Sequence, residues 1–171
     1  MGGPAAGANG EEGRDRDGVS GLWRPLPVHR PLRPPVKISS SAIEAVRAHG
    51  SEGYPDEICG ILVGPRGGKT ATEARHARNI VVERARDRYE IDPRDHIRIQ
   101  READANGHDI IGYYHSHPDH PAQASRFDTE RAWAGYVYVI VSVAKGEPVD
   151  ANAFVAERDG GPFRPEALEI V

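Results

Sequence analysis

The sequence predicts an α/β or α+β domain in which helices and strands interleave irregularly, and three stretches carry that prediction. The run Glu57-Ile58-Cys59-Gly60-Ile61-Leu62-Val63-Gly64 is apolar beyond its first residue and partly β-branched, which suits a buried strand better than a helix. Asp92-Pro93 has the form of a helix N-cap followed by proline at the first helical position, with Asp95 in the first turn and Gly107 just past the end. Tyr136 to Val143 is a third, strongly β-forming run.

Taken in order, residues 1–35 are rich in Gly, Pro, Ala and mixed charge, with little periodic apolar surface to bury, so a flexible tail is expected there. Leu22-Trp23 and the Pro25 to Pro35 stretch belong to it as a solvated linker. The folded domain is expected over residues 36–171. Val36-Lys37-Ile38 predicts a short strand, and Ser41 with Glu44 a capping box opening a helix of about three turns, its apolar face carrying Ile43 and Val46. Tyr54-Pro55-Asp56 breaks the chain before the first buried strand, so Glu57 is placed at that strand's mouth. After the turn Pro65-Arg66-Gly67-Gly68, Ala71 to Val82 supplies one or two returning strands. Arg84 to Arg88 reads as a charged loop leading to a short Tyr89-Glu90-Ile91 strand. Beyond the Asp92-Pro93 helix, Ile110-Ile111-Gly112-Tyr113-Tyr114 is a strand running into His115, and Thr129 to Ala134 a short helix. Ala151 to Ala156 and Pro162 to Val171 close the domain as a hairpin around Arg158-Asp159-Gly160-Gly161.

Composition narrows the function. A formal charge of −4 over 171 residues gives no broad basic field of the kind that holds nucleic acid. Cys59 is the only cysteine, which rules out an intrachain disulfide framework or a thiolate-rich zinc knuckle and fits a reducing cytoplasm. No stretch is apolar for long enough to span a bilayer, and the start has no apolar signal core, so a cytoplasmic protein is expected.

The chemistry concentrates in His115-Ser116-His117-Pro118 and Ser125-Arg126-Phe127-Asp128. Side chains two apart on an extended backbone point the same way, so His115 and His117 at a strand's end present two imidazoles to one point. Zinc in hydrolases takes three protein ligands from His, Asp or Glu and leaves a fourth position to water. Asp128, after a Pro118 to Ala124 loop that can turn back, would be aimed at the same mouth and is the candidate third ligand. An isolated His-x-His is ordinarily a pair of solvated histidines; the serine and carboxylate that follow at fixed spacing distinguish this one.

Glu57, the His-Ser-His run, the seven residues from His117 to Ser125 and the two from there to Asp128 together resemble the JAMM motif of the MPN-plus metalloproteases, Glu … His-Ser/Thr-His-x7-Ser-x2-Asp. Pro55 to Gly64, Tyr89-Glu90-Ile91-Asp92-Pro93 and Tyr136 to Val143 are similar to the compact bacterial branch, so the resemblance spans residues 36–171. It implies a cytidine-deaminase-like α/β/α layered fold with a curved mixed sheet. It also implies one Zn2+ per chain on His115, His117 and Asp128, with Glu57 as general base and Ser125 donating to the oxyanion. Ser116 then supports the ligand loop. The substrates so implied are amides after the C-terminal Gly-Gly of ubiquitin-like or sulfur-carrier proteins of the ThiS and MoaD type, with the Arg84 to Arg88 loop as the edge that binds the carrier's tail. Two other functions fit the same residues: a non-catalytic MPN scaffold, and a zinc hydrolase of small γ-glutamyl or cell-wall peptides.

The remaining candidates are read as structural. His120 is expected to be an exposed loop residue and Cys59 a small buried one, not a nucleophile. Trp133, Tyr136 and Tyr138 are expected as core or rim aromatics, and His29, His49, His76, His96 and His108 as surface residues.

Overall fold

A computed structural model of the chain describes residues 34–171. The expected tail up to residue 33, with Leu22-Trp23 and His29, lies outside the described residues. Strand β1 (Val36–Ile38) leads into helix α1 (Ser40–Gly53). Ser39, not Ser41, is its N-cap: the Ser39 hydroxyl accepts from the Ala42 N–H at 3.2 Å. The same hydroxyl reaches the Thr72 carbonyl at 3.0 Å, so the cap is fixed where the chain leaves its strand neighbour, a contact that local spacing does not reveal. Ile43 and Val46 are both fully buried, as the helical spacing predicts.

Strand β2 (Cys59–Pro65) is followed by β3 (Thr70–Ala71) and β4 (Glu73–Ala77), the two returning strands. Tyr89 to Ile91 forms no strand; Ile91 makes only an isolated bridge to Asn79. Helix α2 (Pro93–Ala105) opens as expected, with the Asp92 carboxylate accepting from the Arg94 N–H at 2.8 Å. Past its end, Gly107 takes a φ of 71°, a conformation that costs glycine nothing.

Strand β5 (His108–Pro118) does not stop before the motif but continues through it. Helix α3 (Arg126–Glu130) starts earlier than expected, with Ser125 as its N-cap. Strands β6 (Val137–Ala144), β7 (Glu147–Arg158) and β8 (Gly161–Glu166) follow, and β7 and β8 form the expected hairpin. The last strand, β9 (Leu168–Ile170), leaves that hairpin and pairs in parallel with β1.

The six-stranded sheet has the order β4-β2-β5-β6-β7-β8, and a second sheet has the order β3-β1-β9. In the larger sheet β5 and β6 are parallel and every other neighbouring pair is antiparallel. The expected mixed α/β sheet is thus present, with β5 in its interior. Alternate residues of each strand divide into two cores. Leu62, Tyr114, Val139, Val141 and Val143 pack with Ile43 and Val46 of α1 on one face. Ile61, Val63, Tyr113 and Ile140 pack with Ile99 and Ala103 of α2 on the other. That alternation sends His115 and His117 to the α2 face with Tyr113, and Ser116 to the α1 face with Tyr114.

Candidate metal centre

Three residues converge on the α2 face. His115 is fully buried, and His117 and Asp128 are 8% and 6% exposed. Their ligand atoms lie within 4.8 Å of one another. The two Nε2 atoms face each other at 3.0 Å. Asp128 offers Oδ1 to His115 Nε2 at 3.3 Å and Oδ2 to His117 Nε2 at 3.5 Å.

Each residue is aimed by a different device. His117 Nδ1 lies 2.9 Å from the Pro121 carbonyl, which can only accept, so the proton sits on Nδ1 and the Nε2 lone pair is turned inward. The loop carrying Pro121 is tied down at both ends. The Ser142 hydroxyl donates to the His120 carbonyl at 2.6 Å, and the Asn152 amide to the Ala122 carbonyl at 2.9 Å. Asp128 is aimed by a capping box: the Ser125 hydroxyl accepts from the Asp128 N–H at 3.2 Å while the Ser125 N–H donates to Asp128 Oδ2 at 2.8 Å. The Ser-x-x-Asp spacing is thereby a folding constraint as well as a chemical one. Since Ser125 Oγ accepts, its own proton is left for another acceptor, and the residue is exposed.

Glu57 precedes β2 and is 7% exposed. Burial pushes its carboxyl up to about 8, against the pull of His117 and with the push of Asp128, so it stands within electrostatic reach of the triad. Its backbone is held by Ala85, whose carbonyl accepts from the Glu57 N–H at 2.6 Å, and by the Asn79 amide on the Glu57 carbonyl at 3.0 Å. Ser116 ties this segment to β5: its buried hydroxyl accepts from the Ile58 N–H at 3.0 Å. Burial works against the Asp128 charge, but the bonds to His115, His117 and Ser125 hold it well below the usual carboxylate range. Burial lowers His115, whereas for His117 the bonds to Asp128 and Pro121 outweigh burial and raise it.

The donor set of two imidazoles and one carboxylate, buried and converging, fits a divalent zinc-type ion with an open position. Residues 39–156 match the prokaryotic homologs of the JAB domain. The chain belongs to this family. It is a JAMM-type peptidase of compact prokaryotic form. Its similarity to a desampylase of Haloferax volcanii is 37% identity over 140 residues, covering 79% of this chain and 96% of that protein. A CysO-cysteine peptidase of Mycobacterium tuberculosis is 31% identical over 106 residues, 61% of this chain and 71% of the other. The solution structure of a Salinibacter ruber protein superposes with a TM-score of 0.62 at 34% identity, over 79% of this chain and 91% of that one.

Around the prokaryotic JAB site other residues fall as follows. His120 is exposed, and Cys59 is buried with burial pushing its thiol up to about 12, so neither competes for the chemistry. Trp133 is 53% exposed and Tyr138 is buried, a rim and a core aromatic respectively. The surface reading holds for His76, which is exposed, and is corrected for His49 and His96, which are half-buried. His49 and His76 stack at 3.6 Å, and His96 Nε2 lies 3.1 Å from the Tyr113 hydroxyl. The Arg84 to Arg88 loop is joined to Glu57 through the Ala85 carbonyl, and Arg88 lies over the Phe127 ring at 4.8 Å. A cavity of about 520 Å³ opens beside Asp128, lined among others by Tyr89, Ile97, Tyr113, Phe127 and Trp133. Sequence reasoning missed this cavity and the role of Tyr89 in its wall. The aromatic at position 89 is the visible signal, hidden by its place in a strand-like run. Among the described residues, no helix is long and apolar enough to cross a membrane.

Proposed function

We propose that the chain is a zinc metallopeptidase that hydrolyses the amide following the C-terminal Gly-Gly of a ubiquitin-like or sulfur-carrier protein. The observation that carries this reading is the convergence of His115, His117 and Asp128 beside the buried Glu57. Relatives named desampylase and CysO-cysteine peptidase support the substrate class.

In this reading His115 and His117 through Nε2 and Asp128 through its carboxylate would hold one Zn2+. Bound there, such an ion would supply Lewis acidity, an acidified water and a positive charge under which the ionised form of Glu57 would be favoured. Glu57 takes a proton at its carboxylate and passes it to the leaving amine, its backbone fixed by Ala85, Asn79 and, through Ile58, by Ser116. Ser125 turns its free hydroxyl proton to the oxyanion that forms on the scissile carbonyl. The Arg84 to Arg88 loop, bonded to Glu57 through the Ala85 carbonyl, provides the edge along which a side-chain-free tail is laid.

The test is incubation of the zinc-loaded chain with Gly-Gly carriers extended at the C-terminus, read by intact mass. Loss of everything beyond Gly-Gly is expected. Glu57→Gln should retain zinc while cleavage falls by roughly 10²-fold or more. Intact carriers throughout would sink the substrate assignment, and undiminished cleavage by Glu57→Gln would remove that residue from its role.

A further inference from the structure

The two histidines of the triad are supported unequally. His117 gives its second ring nitrogen to the Pro121 carbonyl. His115 Nδ1 is buried and has no hydrogen-bond partner among the described residues. A ligand histidine ordinarily donates that nitrogen to an acceptor, which fixes both tautomer and ring rotation. His115 lacks this support, yet its ring must be held in one orientation for Nε2 to point at His117 and Asp128.

One side chain lies flat against it. The Tyr89 ring stacks on His115 with centroids 4.4 Å apart and planes inclined by 25°. The other ring against it, that of His117, is farther, at 4.9 Å, tilted by 57°, and is itself a member of the triad. Tyr89 is also held from outside the site, because it lies between Asn79, whose side chain bonds the Arg88 carbonyl and the Glu90 N–H at 3.0 and 3.1 Å, and the helix cap at Asp92.

We propose that Tyr89 is a positioning residue for the metal centre, whose stacked ring fixes the orientation of His115 in place of the hydrogen bond that His117 has. The proposal rests on the reading of the triad as a metal site. It assigns the role to the ring and not to the hydroxyl. Since Tyr89 also walls the cavity beside Asp128, the role is separated from substrate binding by measuring metal affinity without substrate.

The experiment is a competition titration of Zn2+ against a chromophoric chelator for the metal-depleted full chain, Tyr89→Phe and Tyr89→Leu, with thermal midpoints of the metal-depleted proteins recorded alongside. Tyr89→Phe should bind zinc as the parent does. Tyr89→Leu should bind roughly 10- to 100-fold more weakly, the range seen when a ligand histidine loses its support. Parent-like affinity in Tyr89→Leu overturns the proposal, and so does an equal loss in Tyr89→Phe, which would assign the effect to the hydroxyl. If Tyr89→Leu does not fold, Tyr89→Met, which retains bulk without a ring, decides by the same criterion. A parent chain that binds no zinc would overturn the metal-site reading itself, a result distinct from any difference among the variants.

Discussion

Ser116 sits between the two histidines yet faces away from them, and its hydroxyl accepts the Ile58 N–H while its own N–H donates to the Ile58 carbonyl at 3.1 Å. This doubly bonded pair spaces Glu57 from His115 and His117. Ser116→Ala leaves the Ile58 N–H buried without a partner, which should lower stability by about 1–3 kcal/mol. Denaturant midpoints check the cost, and zinc stoichiometry should stay at the parent value while cleavage falls. A variant as stable and active as the parent would show that the clamp is dispensable. Asp128 illustrates the same economy with two oxygens, one toward each histidine and one of them also taking the Ser125 N–H.

Helix α3 exists because of that last bond. Its single turn has little apolar surface of its own, and its start is fixed by the Ser125 and Asp128 capping box. Ser125→Ala should therefore weaken zinc binding as well as catalysis, with a loss of about 1 kcal/mol in stability from the missing cap. Calorimetric zinc titration of the variant tests this; unchanged affinity would confine Ser125 to the oxyanion. At the neighbouring strand pair, a Cβ on Gly112 would come within 2.0 Å of the Val137 carbonyl oxygen, so Gly112→Ala should push β5 from β6 and reduce soluble, zinc-binding protein. This scale also explains what the sequence made legible. Strand β2, helix α2 and strand β6 were readable because apolar runs and N-cap chemistry are local. The start of α3 was not, because Ser125 and Asp128, at motif spacing, are at once candidate chemistry and a cap. Strand β9 was hidden since its partner, β1, is at the other end of the domain. Tyr89 to Ile91 looked like a strand but serves as an irregular wall. The convergence of His115, His117 and Asp128 is legible because two of these side chains share one strand and the third follows at motif spacing, whereas the ring stacked on His115 comes from a segment far away in sequence.

At the scale of the whole domain, the α1 face carries a titrating histidine unrelated to the metal centre. His49 of α1 stacks on His76 of β4 and meets the Tyr114 hydroxyl at 2.9 Å. Burial, then repulsion from His76, lowers His49 from 6.5 to about 4. Above 6.5 the ring is neutral folded or unfolded and contributes nothing to the pH dependence. As pH falls from 6.5 towards 4, the unfolded chain takes up a proton that the fold refuses, so stability drops through that window and levels off below it. The ring is partly exposed, so after allowance for screening the loss should be about 1–2 kcal/mol. Denaturation near neutral pH and near pH 5 should show it, and His49→Gln should abolish that share of it. A slope unaltered in His49→Gln would assign the acid sensitivity elsewhere.

The passage of β5 through the sheet interior has a consequence for how the site opens. Tyr114 and His115 are paired on both sides, with Gly60 and Cys59 of β2 and with Val139 and Ile140 of β6. Amides so placed exchange with solvent only when the entire cooperative unit unfolds, not by fraying. The histidines are thus preorganised by the sheet, and a bound ion stabilises the domain by mass action instead of folding the site. In deuterium exchange, adding a chelator should accelerate the amides of Tyr114 and His115 in step with those of Val139 and Ile140. Deuterium entering the histidine segment first would reveal a local opening that this topology forbids.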